Sequence, residues 1–185
     1  MKINVVVTII VIIGVLLRII PHMPNFAPVA AVALFSGVYF SKKMAIALPV
    51  ILLFVSDIFI GFYEPKLMIS VYASFILCGL LGLWLKNHKK WQMILGCSIC
   101  SSFVFFILTN FTVFAFTPWY PKTIFGFTQC YLMALPFFRN TLLGDLFYTG
   151  IFFGAYELAD ILIKKYFKLA VAPSYAKSHN NYRKI

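Results

Sequence analysis

Two acids and one amide lie inside long apolar stretches of the chain, where polar groups are costly. Asp57, Asn110 and Asp145 each interrupt a different run of apolar residues. A carboxylate that faces lipid costs about 2.5–3.5 kcal/mol on insertion scales. We therefore expect both carboxylates to face protein or a water-filled cavity, where they bind a ligand or pair with Arg18 or Arg139.

Hydroxyl groups accompany these residues at helical spacing, so that they share helix faces. One such face carries Thr141, Asp145 and Tyr148, at positions i, i+4 and i+7. A second face carries Ser98, Ser102 and Thr109, with Asn110 beside it. The pattern predicts a polar cavity between helices rather than isolated polar residues.

The remaining reactive residues do not predict catalysis or metal binding. Cys97 and Cys100 form a CxxC, but no second pair and no His-rich segment accompanies it. Packing of small thiols in a helix explains the pair better than a redox or metal site. The sequence has no HExxH, GxSxG or Walker A motif. We predict no metal, no cofactor, no enzyme activity and no ATPase in this chain.

The composition indicates what kind of scaffold holds these residues. Of 185 residues, 62% are apolar and 11% are charged, and the mean hydropathy is +0.93. A soluble domain of this length cannot bury so much apolar surface. We predict an all-α integral membrane protein with six transmembrane helices: Ile3–Ile20, Phe26–Phe40, Met44–Phe62, Leu67–Leu85, Trp91–Phe116 and Asn140–Ile163. The second is short, at about 22 Å, and we expect it to be buried among the others, kinked or partly re-entrant.

The distribution of basic residues predicts that both termini are cytoplasmic. With the N-terminus inside, the inner loops and tail hold 12 of the 16 Lys and Arg residues, and the outer side holds 4. This orientation explains the net charge of +11 without a nucleic-acid partner. We predict one domain over residues 1–169 in the cell (inner or cytoplasmic) membrane. A basic, flexible tail over residues 170–185 is expected to contact anionic membrane lipids.

The apolar stretch between the fifth and sixth spans is too short to be a further span. We predict that residues 117–138 form an outer loop that carries a lid-like helix. Asp57 and Asp145 then both lie near the outer face. The residues predicted to bind substrate on that side are Arg18, His22, Asn25, Asp57, Asn110, Trp119, Tyr120, Lys122, Arg139, Asn140 and Asp145.

Small residues recur four positions apart in two of the predicted helices. These small-xxx-small pairs are Ala27 with Ala31 and Gly150 with Gly154. Small residues allow helix backbones to approach closely in lipid. Packing inside the bundle is one interpretation of each pair. The other is a face that docks on a second membrane subunit, which we assign to Ala27 and Ala31.

Short motifs follow one another in a recognisable order through the first third of the chain. They are Pro24-Asn25-Phe26-Ala27-Pro28-Val29-Ala30-Ala31, then Gly37, Tyr39-Phe40, Ser56-Asp57 and Gly61. In this order they resemble the opening of the substrate-binding S components of energy-coupling factor (ECF) vitamin transporters. Two later segments, residues 120–123 and 135–145, are similar to an uncharacterised group of bacterial membrane proteins that look distantly related to S components.

The resemblance implies a specific function. S components are six-helix proteins that bind a vitamin or a metal-related nutrient in an outward-facing pocket. They dock on a transmembrane coupling subunit that two ATPases drive. The chain has no signature of a thiamine, riboflavin, biotin or cobalamin pocket, so the resemblance leaves the ligand open.

On this hypothesis the predicted site residues have distinct roles. Asp57 and Asp145 would bind cationic or hydroxyl groups, and Asn110 and Asn140 would form hydrogen bonds. An anionic group would meet Arg18, Lys122 or Arg139, while Trp119 and Tyr120 would stack at the mouth. Two alternatives stay open: a structural membrane subunit in which these groups only hold helices together, and a membrane enzyme acting on lipid or envelope precursors through Asp57, His22 and Asp145.

Overall fold

The apolar runs fold as helices in the computed structural model, which describes residues 2–20 and 23–181. Within these ranges there is no β-strand, and the helices are α1 (Lys2–Ile19), α2 (Val29–Tyr39), α3 (Lys42–Ile60), α4 (Pro65–Leu85), α5 (Trp91–Phe116) and α6 (Ile124–Asn181). Four of them are long and apolar enough to cross a membrane: α3, α4, α5 and the Ile124–Lys165 part of α6. These findings confirm the all-α class and indicate a membrane protein.

Local sequence signals explain several helix boundaries. The Ser41 side chain accepts a hydrogen bond from the Met44 N–H at the start of α3. Glu64 does the same for Leu67 at 2.7 Å, with Pro65 in the first turn of α4. Gly61 ends α3 with φ of 106°, a conformation that favours glycine.

Helix α2 lies at the centre of the bundle, as its small and apolar residues predict. Residues 29–38 are all buried, and α2 packs against α1, α3, α4, α5 and α6. Its length of 11 residues, about 16 Å, is too short to cross the hydrocarbon core by itself. The expectation of a short helix buried among the others is therefore confirmed.

The backbones of α2 and α4 meet at glycines. A Cβ atom added to Gly37 would lie 2.5 Å from the Gly79 carbonyl oxygen and 2.6 Å from Gly82. A Cβ added to Gly82 would collide with the Leu34 carbonyl oxygen. Glycine at these positions permits the backbones of the two helices to approach closely.

Helix α6 begins earlier than the sequence predicts. Ile124 starts it, and it continues through Pro136 without a break, so the prediction of a separate lid-like helix in an outer loop is wrong. Residues 124–138 pack antiparallel on α5: the Phe114 and Phe127 ring centroids are 5.3 Å apart, and those of Phe106 and Phe138 are 4.6 Å apart. This packing on α5 stabilises the apolar segment as a helix.

The far end of α6 also differs from the expectation. Residues 170–181, which were predicted to begin a flexible tail, continue the helix. Residues 182–185 of that predicted tail lie outside the described residues.

The lysine-rich loops come together at one end of the bundle. Lys89 Nζ donates to the Tyr39 hydroxyl at 2.9 Å, and Lys86 Nζ lies 3.5 Å from the Phe40 carbonyl oxygen. The ring centroids of Tyr39 and Tyr156 are 4.0 Å apart, which places the later part of α6 at the same end. Arg18 and Asp57 lie at the opposite end, where α1 and α3 finish.

Candidate functional site

A cavity of about 430 Å³ opens at the end of the bundle opposite the lysine-rich loops. This volume lies in the range of small-molecule sites. Helices α1, α4, α5 and α6 and the segments before α2 and around the α3–α4 loop supply the walls. The lining residues are Arg18, Asn25, Ala27, Val29, Ile60, Tyr63, Leu67, Val71, Phe75, Phe105, Phe106, Thr109, Asn110, Val113, Ala134, Phe137, Phe138, Thr141 and Asp145.

Asp145 lies deep in this cavity. Its side chain is buried, and its Oδ2 accepts a 2.6 Å hydrogen bond from Ser102 Oγ. Ser102 sits near the middle of α5 (Trp91–Phe116), so Asp145 is near mid-bundle and not near the outer face as predicted. The reason is the early start of α6: the residues from 124 to 139 add about 24 Å of helix before the predicted beginning of the span.

Asp57 lies outside the cavity and holds three helices together. Its Oδ1 accepts from Arg18 Nη2 at 3.0 Å, and its Oδ2 accepts from the Tyr72 hydroxyl at 2.9 Å. Arg18 Nη1 also donates to Ser56 Oγ at 2.6 Å. Asp57 is 1% exposed and its charge is matched by Arg18. Of this pair, only Arg18 lines the cavity.

The other polar groups of the cavity wall come from separate elements. Asn25 precedes α2 with φ of 61°, and Tyr63 lies in the α3–α4 loop. Burial, and after it the negative charge of Asp57, raise the pKa of Tyr63 to about 12, against the opposing effect of Arg18. The phenol is therefore a neutral hydrogen-bonding group at physiological pH.

Three polar side chains of the wall are held against their own helices. Asn110 Nδ2 donates to the Phe106 carbonyl oxygen at 2.8 Å, and Thr109 Oγ1 donates to that of Phe105 at 2.7 Å. Thr141 Oγ1 donates to the Phe137 carbonyl oxygen at 3.0 Å in the same way. These bonds fix the rotamers and leave the acceptor side of each group available to a ligand.

Besides Asp57, five more of the residues predicted to bind substrate do not line this cavity. Lys122 Nζ donates to the carbonyl oxygens of Thr117 and Phe114 and so caps the C-terminal end of α5. Asn140 Nδ2 donates to the Pro24 carbonyl oxygen at 3.1 Å, joining α6 to the segment before α2. The others are Trp119, which is 69% exposed, Tyr120 and Arg139. His22 lies outside the described residues.

The sequence analysis grouped these residues with the others only because it placed all of them on the same side of the membrane. Trp119, Tyr120 and Lys122 lie between the end of α5 and the start of α6, and Arg139 and Asn140 lie on α6 but do not line the cavity. Of the predicted residues that the structure describes, Arg18, Asn25, Asn110 and Asp145 line the cavity.

Five aromatic residues form a large part of the apolar wall, and the sequence analysis did not select them. They are Phe75, Phe105, Phe106, Phe137 and Phe138. The chain has 21 phenylalanines, most of which pack in the bundle or face lipid. The spacing of Phe105, Phe106 and Thr109 beside Asn110 was the available signal, because it places two rings on the polar face of α5.

The predicted docking pair Ala27 and Ala31 does not form an exposed face of α2, because Ala27 precedes that helix. Ala31 is fully buried, and Ala27 lines the cavity. The pair therefore belongs to the interior of the bundle, as the packing alternative holds.

Comparison with known proteins gives a family but no function. Residues 1–169 match the Family of unknown function (DUF6580). No curated protein matches the chain, and no solved structure matches it.

Proposed function

Since the chain belongs to the DUF6580 family of unknown function, we propose from its geometry that it is a membrane-embedded subunit that captures a small nutrient for uptake. The observation that carries the proposal is the cavity of about 430 Å³. Its walls are mainly apolar and aromatic, and a few polar groups converge in it from separate elements. This composition is typical of sites that bind small molecules, because apolar walls supply affinity and few polar groups supply orientation.

The proposal includes the orientation of the molecule in the cell membrane. We propose six spans with both termini in the cytoplasm: α1, and α2 together with the segment that precedes it, complete the four long helices. The grouping of Lys86, Lys89 and the loop before α3 at one end supports this orientation, because positive loops favour the cytoplasmic side. The cavity then opens to the outside, where a capture subunit meets its ligand.

Transport would need a partner. The sequence has no ATPase motif, and its motifs around residues 24–61 resemble those of ECF S components. We propose that a transmembrane coupling subunit with ATPases supplies the energy. Helix α2 is unavailable for this contact, so docking must use the lipid-facing surfaces of other helices.

A structural subunit is the second candidate, and two contacts favour it. Arg18 with Asp57, and Ser102 with Asp145, each connect different helices, so part of the polar cluster stabilises the bundle whatever else it does. The enzyme alternative is weaker, because Asp57 is paired with Arg18 and does not line the cavity with Asp145.

The capture proposal is tested by filling the cavity. Ala134 lines it, and Ala155 is exposed on a later turn of the same helix. The full chain and its Ala134→Phe and Ala155→Phe variants would be purified in mild detergent, and bound small molecules identified by native mass spectrometry. A metabolite library would be screened in parallel for changes in melting temperature, since a ligand that binds the folded state stabilises it.

We expect a small molecule, or a library member, to bind the wild type and Ala155→Phe and to be lost from Ala134→Phe. A wild-type protein that retains nothing and responds to no metabolite would overturn the capture function. The structural alternative predicts that outcome.

A further inference from the structure

The cavity contains one carboxylate whose charge no basic residue matches. The charged residues that line it are Arg18 and Asp145. Arg18 is neutralised by Asp57 at 3.0 Å, and the other ion pair found in the described residues joins Lys164 to Asp160 far along α6. Among the residues that the structure describes, Asp145 has no ion-pair partner. When Asp145 is ionised, the net charge of the lining, counted with the partner of Arg18, is therefore that of a single carboxylate.

The burial of Asp145 makes this unmatched charge unfavourable in the empty cavity. The side chain is 4% exposed, it lies near mid-bundle, and it accepts a hydrogen bond from one hydroxyl, that of Ser102. Buried charges in proteins are normally paired, because desolvation without a partner is costly. A cation beside Asp145 would supply the positive charge that no described residue places there.

The surrounding side chains favour an organic cation over a metal ion. The rings of Phe105, Phe106, Phe137 and Phe138 line the same cavity, and aromatic faces attract ammonium groups while packing on apolar ligand bodies. A divalent metal ion requires several oxygen, nitrogen or sulfur ligands, and no group of three or more His, Cys, Asp or Glu side chains occurs among the residues that the structure describes.

The basic residue that lines this cavity is not free to bind an anionic ligand. The guanidinium of Arg18 is held by Asp57 and Ser56, and Lys122 is engaged with the carbonyl oxygens at the end of α5. A ligand carboxylate or phosphate would enter a space whose unmatched charge has its own sign, which repels it.

Resting on the capture function proposed above, we propose that the ligand is a monocation: an amine or basic heterocycle on a flat, mainly apolar body. Its positive group pairs with the Asp145 carboxylate, which Ser102 orients. Its apolar body lies between the phenylalanines of α5 and α6. Asn25, Tyr63 and Asn110 meet the polar substituents of the ligand at other points of the wall.

The experiment compares probes that differ only in charge. Three probes share an indole ring: tryptamine is a cation, tryptophol is neutral and indole-3-acetate is an anion. A second set uses phenethylamine, phenethyl alcohol and phenylacetate. Each would be titrated against the full chain in detergent, with unfolding followed by a thiol-reactive dye. Cys78, Cys97 and Cys130 are buried in the folded protein and report unfolding, while the exposed Cys100 reacts beforehand and sets the baseline.

We expect the two amines to raise the melting temperature while the alcohols and acids do not. In Asp145→Asn the apparent affinity for the amines should fall by about 30-fold or more, because one partner of a buried charge pair is gone. Asp160→Asn, which removes an acid far from the cavity, should bind them as the wild type does. The comparison of charges within the wild type remains decisive if Asp145→Asn fails to fold.

The outcomes separate this inference from the capture function. Equal or better binding of the neutral or anionic probes, or amine binding that survives in Asp145→Asn, would overturn the cationic ligand. If those probes are also blocked by Ala134→Phe, the capture function stands. If none of the six probes binds but another class of metabolite does, the inference fails alone; if nothing binds at all, both fail.

Discussion

Arg18 at the end of α1 and Asp57 near the end of α3 are 39 residues apart in sequence, and their side chains meet at 3.0 Å. The Tyr72 hydroxyl of α4 occupies the second oxygen of the same carboxylate. One acid thus joins three helices at the end of the bundle where the cavity opens. One of the two acids that the sequence suggested for ligand binding is therefore satisfied by the protein itself.

This contact makes the first prediction. Asp57→Asn leaves the Arg18 guanidinium without its anion, and we expect the free energy of unfolding to fall by about 3 kcal/mol. This is the lower end of the range for buried pairs, since the Arg18 side chain keeps 13% exposure. The measurement is thermal or denaturant unfolding in detergent micelles.

Asp160→Asn is the matched control for this variant. Asp160 pairs with Lys164 at 2.6 Å, but the Lys164 side chain is 73% exposed, and exposed pairs contribute little. Equal stability of the two variants would contradict the structural role of Asp57.

The second prediction concerns the glycine contact of α2 with α4. A methyl group at Gly82 would collide with the backbone of Leu34 and lie 3.0 Å from the Gly37 Cα. We expect Gly82→Ala to destabilise the fold by about 1–3 kcal/mol, as overpacking does. Reduced melting temperature and a lower yield of folded protein are the observables.

Gly154→Ala is the control, because a Cβ at Gly154 meets nothing within 4 Å. Here the better helix propensity of alanine should leave stability unchanged or raise it by up to about 1 kcal/mol. If Gly82→Ala and Gly154→Ala changed the stability by the same amount, the result would contradict the close approach of α2 and α4.

The general architecture could be predicted because it follows from local properties. Apolar run length predicts helices, and five of the six predicted helix starts agree with the structure to within a few residues. The start of α6 could not be predicted in this way. Residues 124–138 are helical because they pack on α5, and nothing within the segment reveals that partner.

The site could be predicted in part for the same reason. Arg18, Asn25, Asn110 and Asp145 were found because polar groups in apolar segments must face inward. Which of these groups pair with each other could not be predicted, because whether Arg18 contacts Asp57 or Asp145 depends on how the helices are rotated against one another. The aromatic wall was missed because phenylalanine in the core and phenylalanine facing lipid look the same in a sequence.

Membrane orientation is the third prediction. With the lysine-rich end in the cytoplasm, a reporter fused after Ile185 should be cytoplasmic, and Asn87→Cys in the α4–α5 loop should resist a membrane-impermeant thiol reagent added to intact cells. Pro118→Cys, beyond the other end of α5, should react. Cys78, Cys97 and Cys130 are buried, whereas Cys100 is exposed, so both variants would be made in a Cys100→Ser background. Labelling of Asn87→Cys but not of Pro118→Cys would reverse the orientation and point the cavity inward.

The fourth prediction separates the cavity wall from the exposed residues that the sequence also suggested. Asn110 lines the cavity and Trp119 does not, being 69% exposed beyond α5. If the cavity captures a ligand, Asn110→Ala should weaken its binding by up to about tenfold, the effect of one lost hydrogen bond. Trp119→Ala should leave the affinity unchanged, and titration of whichever molecule binds the wild type measures both.

Thr112→Ala provides the control that this comparison needs. Thr112 Oγ1 donates to the Leu108 carbonyl oxygen at 3.0 Å, the same kind of intrahelical bond that Asn110 makes to Phe106, but it lies outside the cavity. Its loss therefore perturbs α5 to a similar extent without touching the ligand. Binding weakened equally by Thr112→Ala would attribute the effect of Asn110→Ala to the helix, and weakening by Trp119→Ala alone would move the ligand to the surface beyond α5.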